Sequence, residues 1–102
     1  MNDIVTRSTV SLSVTPKLNG NEITDLEGGV LQFKFTSVNG EHSVMKESTD
    51  GDFHFTPEEM DLPVGKYKWS CRWKVDGDIH FLGQGYVDIV KNDFTEEEDA
   101  NG

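Results

Sequence analysis

The strongest constraint on the fold is an unbroken alternation of apolar and polar residues in the C-terminal half of the chain. Residues 66–75 read KYKWSCRWKV, and the apolar side chains at alternate positions are Tyr67, Trp69, Cys71, Trp73 and Val75. Successive side chains of a strand point to opposite sides of a sheet, so a period of two is typical of a strand with one buried face. These residues therefore predict a long strand with a buried aromatic side.

A partner strand follows this segment directly. The run at residues 79–90 again has apolar side chains at alternate positions, namely Ile79, Phe81, Val87 and Ile89. If Asp76-Gly77-Asp78 forms a three-residue loop, Val75 lies opposite Ile79 and the apolar residues of both strands share one face. A two-residue loop would set Val75 against Asp78, and a slip of one residue reverses every side chain. We therefore predict the longer loop.

The rest of the chain predicts more short strands. Alternation marks residues 10–14, 31–36, 43–47 and 53–55, and the dipeptides Asn19-Gly20 and Asn39-Gly40 indicate turns between them. Thr56-Pro57-Glu58-Glu59 has the form of a capped helix start, which predicts a short helical turn near residues 57–61. Six or seven strands at spacings of roughly ten residues indicate an all-β domain, either an antiparallel β-sandwich or a partly open barrel.

Composition limits the partners of this domain. The chain has 102 residues, a net charge of −10 and a single cysteine, Cys71. A chain of this size buries one core, and without a second cysteine no internal disulfide stabilises it. Because phosphate groups are bound by Lys and Arg, we expect neither nucleic acid nor a membrane surface as a partner. The N-terminal residues have no apolar run typical of a secretory signal, so we expect synthesis in a cytoplasm.

Three segments divide the chain. We predict a flexible N-terminus at residues 1–7, one β-domain at residues 8–91 and a disordered acidic tail at residues 92–102. The tail has five of the 19 acidic residues and no basic residue, a composition that cannot supply a core.

The string DGD-x-HF occurs twice, at residues 50–55 and 76–81, and raises the possibility of a metal site. Such a site would pair Asp52 with His54 and Asp78 with His80. A calcium loop needs oxygen ligands over 12 residues and a zinc site needs three or four converging His or Cys ligands, and neither pattern is present. We interpret both strings as turns that lead into strands, and we expect no metal and no cofactor.

No catalytic motif is found in the sequence. There is no Gly-rich phosphate loop and no Ser nucleophile motif, and Cys71 lies at a core position of its strand. We therefore expect that the protein is not an enzyme.

A basic strand face is the candidate binding surface. The predicted face combines four basic residues with three residues of the partner strand: Lys66, Lys68, Arg72, Lys74, His80, Leu82 and Tyr86. One interpretation is a solvated sheet face whose lysines prevent edge pairing. The other is a docking face for an acidic or polar partner, with Leu82 and Tyr86 as apolar anchors.

The C-terminal half resembles small virion proteins of tailed bacteriophages. The resemblance rests on LPVGKYKW at residues 62–69, Asp76-Gly77, and LGQGYVDI at residues 82–89, with Leu26, Gly28 and LQF at residues 31–33 in the place of an early strand pair. It spans residues 8–91 and is similar to the N-terminal domains of baseplate upper proteins and to other immunoglobulin-like modules. Ser70-Cys71 and the acidic tail depart from the pattern. The resemblance implies an immunoglobulin-like β-sandwich with a non-enzymatic structural role.

Three functions follow as hypotheses. The first is a virion structural or adaptor protein, made in the host cytoplasm, that docks onto head, neck or baseplate proteins and forms a homo-oligomer in some particles. The second is a carbohydrate- or host-surface-binding module that uses Trp69, Trp73 or Tyr86 as stacking platforms. The third, an acidic inhibitor that mimics nucleic acid, fits least well because the acidic residues concentrate in turns and in the tail.

Overall fold

The computed structural model describes residues 3–23 and 25–94. These residues form nine strands and no helix: β1 Ile4–Val5, β2 Val10–Ser13, β3 Lys17–Leu18, β4 Asn21–Glu22, β5 Gly29–Ser37, β6 Ser43–Ser48, β7 Asp52–Phe55, β8 Gly65–Val75 and β9 Asp78–Val90. The all-β class is confirmed. The predicted six or seven strands were too few because β1, β3 and β4 contain two residues each, too short to produce a pattern.

One five-stranded sheet dominates the architecture. Its strand order is β1-β9-β8-β5-β6, with β1 parallel to β9 and the other neighbours antiparallel. The remaining strands form two antiparallel pairs, β2 with β7 and β3 with β4. Chain neighbours β5–β6 and β8–β9 are hairpins, as the alternating segments on either side of their turns predicted.

A cluster of aromatic side chains forms the centre of the core. Phe33 and Phe35 project from β5, and Phe53 and Phe55 project from β7. The ring centroid of Phe33 lies 5.2 Å from that of Phe35 and 5.7 Å from that of Phe53. Edge-on contacts of this kind add to the stabilisation from apolar area. This phenylalanine cluster holds the β2–β7 pair against the five-stranded sheet.

The hairpin that joins β8 to β9 differs from the prediction. Asp76 and Gly77 have φ values of 50° and 82°, so the loop has two residues in the conformation of a type I′ turn. Val75 consequently pairs with Asp78. The register then shifts between Cys71 and Arg72, because β9 contains one extra residue there. Beyond this bulge the predicted register is confirmed, with Tyr67 opposite Val87.

The predicted helical turn is present as one turn only. The N–H of Glu59 donates to Thr56 Oγ1 at 3.2 Å, and the N–H of Thr56 donates to Glu59 Oε1 at 2.9 Å, which completes the capping box. Met60 N–H donates to Thr56 O at 3.0 Å, a single helical hydrogen bond. The chain then turns into β8, so the segment does not form a helix.

Glu59 links this turn to β6 and makes stability depend on pH. Its carboxylate accepts two hydrogen bonds of 2.7 Å from Lys46 Nζ, and with the Thr56 N–H they hold the pKa of Glu59 at about 2, below its ordinary 4.5. Because the folded pKa is lowered, the contribution is present above pH 4.5 and is lost as the pH falls toward 2. Glu59→Gln should lack this loss. Urea unfolding of both proteins at neutral pH and at about pH 3 measures it; parallel losses in the two proteins would contradict the assignment.

The N-terminal residues take part in the sheet. Ile4 is buried and pairs with Ile89, although residues 1–7 were predicted to be a flexible segment. Thr6 Oγ1 donates to Leu62 O at 2.6 Å, which fixes the following residues beside the helical turn. At the other end, Asn92 Nδ2 donates to Thr6 O at 3.0 Å. Of the predicted acidic tail, residues 95–102 lie outside the described residues.

Candidate docking face

One side of the five-stranded sheet faces away from the phenylalanine cluster, and we call it the outward face. Residues of β5 show why the two sides separate: Phe33 and Phe35 are buried, whereas Lys34 between them is exposed. Residues directly opposite each other on paired strands point to the same side, so the register assigns each strand position to a face. Lys34 pairs with Met45 of β6 and Ser70 of β8, and both therefore lie on the outward face.

Basic side chains concentrate on the outward face. The structure places all four of the predicted β8 residues there, together with one residue of β5: Lys66, Lys68, Arg72, Lys74 and Lys34. Five of the nine basic residues of the chain thus share one surface, in a protein with a net charge of −10. Asp88 and Glu47 are the acidic side chains at its margins, opposite Lys66 and Gln32.

Large apolar side chains are exposed on the same face. Phe81 and Tyr86 of β9 are each 61% exposed, Ile79 is 57% exposed and Met45 is 46% exposed. The register sets Phe81 beside Arg72, Ile79 beside Lys74 and Tyr86 beside Lys68. Scattered apolar residues are ordinary on protein surfaces, but a contiguous group marks an interaction site. The outward face therefore offers charge and apolar area together.

Two residues of the predicted face lie on the other side of the sheet. His80 pairs with Trp73, and their ring centroids are 6.0 Å apart. Leu82 packs against the core. Both displacements follow from the two-residue loop, which reverses the side chains of β9 between the turn and the bulge. Phe81 and Ile79, which the sequence assigned to the core, take their places; no alternation signal distinguished the two loop lengths.

A polar chain crosses the centre of the outward face. Arg72 Nε donates to Gln32 Oε1 at 2.5 Å, and Gln32 Nε2 donates to Glu47 Oε2 at 2.6 Å. These contacts fix the guanidinium beside a shallow depression of about 270 Å³ whose margins include Met45 and Phe81. A positive group held next to apolar walls is suited to a partner that presents a carboxylate among apolar side chains.

The two DGD-x-HF strings form turns of different kinds. In the first, Asp50 Oδ1 accepts from the N–H of Asp52 at 2.9 Å, and Asp52 Oδ1 accepts from Ser13 Oγ at 2.8 Å. His54 Nδ1 lies 3.2 Å from Ser11 Oγ. Hydrogen bonds from neighbouring groups hold the pKa of Asp50 below its usual value. Among residues 3–23 and 25–94, no group of three or more His, Cys, Asp or Glu is arranged to hold a metal ion.

The remaining reactive or aromatic candidates lie in the core. Cys71 is buried, and burial raises the pKa of its thiol. Trp73 is 6% exposed, and the Trp69 ring stacks on Phe33 with centroids 5.6 Å apart. On its other side Trp69 lies over Gly85, where a Cβ atom would be 2.6 Å from the indole nitrogen. The indole faces are thus occupied by the protein itself.

Comparisons with known proteins give no further assignment. No helix in the described part of the chain is long and apolar enough to cross a membrane. No protein-family model, curated protein or solved structure matches the chain.

Proposed function

We propose that this protein is a non-enzymatic adaptor of a bacteriophage particle and that it docks onto another virion protein through the outward face. The observation that carries the proposal is the joint exposure of basic and apolar side chains on one sheet face of an acidic protein. The preferred partner surface is acidic with apolar anchors, because opposite charges fix orientation and apolar contact supplies affinity.

The finer fold type belongs to the same proposal: an immunoglobulin-like β-sandwich. Three features support it. Strands β9, β8, β5 and β6 adjoin in the order of the G, F, C and C′ strands, and β2 pairs with β7 as B pairs with E. Tyr67, near the start of β8, donates its hydroxyl to Pro63 O at 2.8 Å, as in a tyrosine corner.

The virion assignment rests on the resemblance of residues 8–91 to small phage structural proteins. Modules of that kind act by attachment to head, neck or baseplate, in several copies, which accounts for an exposed face in place of a catalytic cleft. The alternative, a carbohydrate- or host-surface-binding module, needs free aromatic ring faces. Trp73 is buried and Trp69 is covered by Phe33, so only Tyr86 would serve, and we favour the adaptor.

Charge reversal on the outward face tests the proposal. Lys68→Glu with Arg72→Glu should lower incorporation into particles by at least about tenfold, because like charges placed against an acidic partner cost several kcal/mol. The thermal midpoint should change little, since exposed substitutions are worth less than about 0.5 kcal/mol. Quantitative mass spectrometry of particles from infected cells that express each variant gives the readout.

The matched control is Lys17→Glu with Lys91→Glu, which makes the same charge change at exposed positions away from the outward face. This control should enter particles like the original protein. Equal incorporation of both double variants would refute docking through the outward face.

A further inference from the structure

One edge of the five-stranded sheet is open along β9. Strand β9 pairs with β8 on one side and with β1 on the other, but β1 pairs only at Ile89 and Val90. Between Asp78 and Asp88 no described strand pairs with that second edge. An unpaired strand edge presents a row of backbone donors and acceptors that an added strand is able to bind.

Strand geometry identifies the groups that face the open edge. The carbonyl of Val90 accepts the N–H of Thr6 at 3.0 Å, so the backbone polar groups of Val90 point toward β1. Residues two apart in a strand share this direction, which gives Gln84 and Tyr86 the same orientation. Gly85 between them pairs with Trp69 of β8. The N–H and C=O groups of Gln84 and Tyr86 are thus available to another strand.

An apolar groove opens beside this edge on the core side of the sheet. It has a volume of about 350 Å³, and its walls include Leu12 and Val14 on one side and Trp69 and Leu82 on the other. The bulge directs the Leu82 side chain inward to this groove. Because side chains alternate along a strand, every second residue of a strand added to β9 would project into the groove.

We propose that the open edge of β9 receives an extended segment of another protein, which adds a strand to the sheet and places alternate apolar side chains in the groove. Basic residues at the ends of the segment suit the edge, since residues 78–90 contain Asp78 and Asp88 and no Lys or Arg. This surface is distinct from the outward face, and the inference does not rest on the docking proposed above.

A second copy of this chain is a poorer occupant. Antiparallel pairing of two β9 strands about Gly83 would set Asp78 of each copy against Asp88 of the other, because 78 and 88 are equidistant from 83. Like charges directly opposite each other destabilise a strand pair. The net charge of −10 on each copy adds repulsion.

Amide hydrogen exchange measured by NMR tests the occupant. The probe is a short synthetic peptide with valine at alternate positions, threonine between and two lysines at each end; the control peptide has the same composition with its valines grouped. The first peptide should slow exchange at Gln84 and Tyr86 by about tenfold or more. Gly85, whose backbone pairs with β8, should be protected with or without it. The control peptide should have no effect.

Gln84→Pro tests the same contact without disturbing β8, because the lost N–H points to the open edge. It should weaken peptide binding by about tenfold, whereas Gln84→Ala should bind like the original protein. Lys68→Glu with Arg72→Glu should retain peptide binding, which separates this inference from docking through the outward face. Unchanged exchange at Gln84 and Tyr86 would overturn the proposal. So would slow exchange in the free protein that increases with its concentration, since a second copy would then occupy the edge. If Gln84→Pro does not fold, the exchange measurement on the original protein decides alone.

Discussion

Phe35→Ala should lower the free energy of unfolding by about 3–5 kcal/mol. Phe35 is fully buried, and its ring packs edge-on against Phe55 of the facing strand pair, with centroids 5.4 Å apart. Removal of the ring costs its transfer free energy and leaves a cavity between rigid strands that cannot close around it. Because a domain of this size is stable by only about 5–15 kcal/mol, the variant should be close to unfolded at its physiological temperature.

The matched control is Phe94→Ala, which removes the same side chain from a position that is 64% exposed. Its unfolding free energy should change by less than about 0.5 kcal/mol. Guanidinium unfolding monitored by tryptophan fluorescence measures both variants. A loss below about 1 kcal/mol for Phe35→Ala would show that the phenylalanine cluster does not hold the two strand layers together.

Gly51→Ala should destabilise the fold by about 2–5 kcal/mol, the second largest effect expected. Gly51 is the glycine of the first DGD string and has a φ of 94°, where a side chain is strained. A Cβ atom there would also lie 2.6 Å from the backbone oxygen of Val14. That oxygen cannot move freely, because the adjacent N–H of Val14 donates to Gly51 O at 2.8 Å.

Gly40→Ala separates the two contributions. Gly40 has a φ of 77°, but a Cβ atom there meets nothing within 4 Å. This control should therefore lose only the conformational term, about 1–2 kcal/mol. The difference between the two midpoints in urea reports the contact with Val14. Equal losses would mean that the β6–β7 turn gives way without cost, against the tight packing described above.

The repeated string shows why part of the fold was predictable from the sequence and part was not. Phe53 and Phe55 after the first DGD are buried, as their alternation predicted, whereas Ile79 and Phe81 after the second are exposed. Both runs have the same period, and period alone does not say which face is buried. That choice depends on whether the turn contains two residues or three, and a bulge later in β9 restores the register.

The candidate face was predictable only in part for the same reason. Lys66, Lys68, Arg72 and Lys74 lie on the strand whose aromatic side is buried, so their parity fixed their direction. His80 and Leu82 belong to the segment between the turn and the bulge and therefore point the other way. Ile4 in the parallel strand β1 has no repeating neighbour, so its burial carried no sequence pattern.

Lysine cross-linking of purified particles, followed by mass spectrometry, tests the docking of the outward face most directly. The protein should be present in the particles, and its cross-links to another virion protein should start from lysines of the outward face: Lys34, Lys66, Lys68 and Lys74. Lys17, Lys46 and Lys91 lie elsewhere and provide the internal comparison. Absence of the protein from particles, or cross-links that start only from those three lysines, would contradict the account.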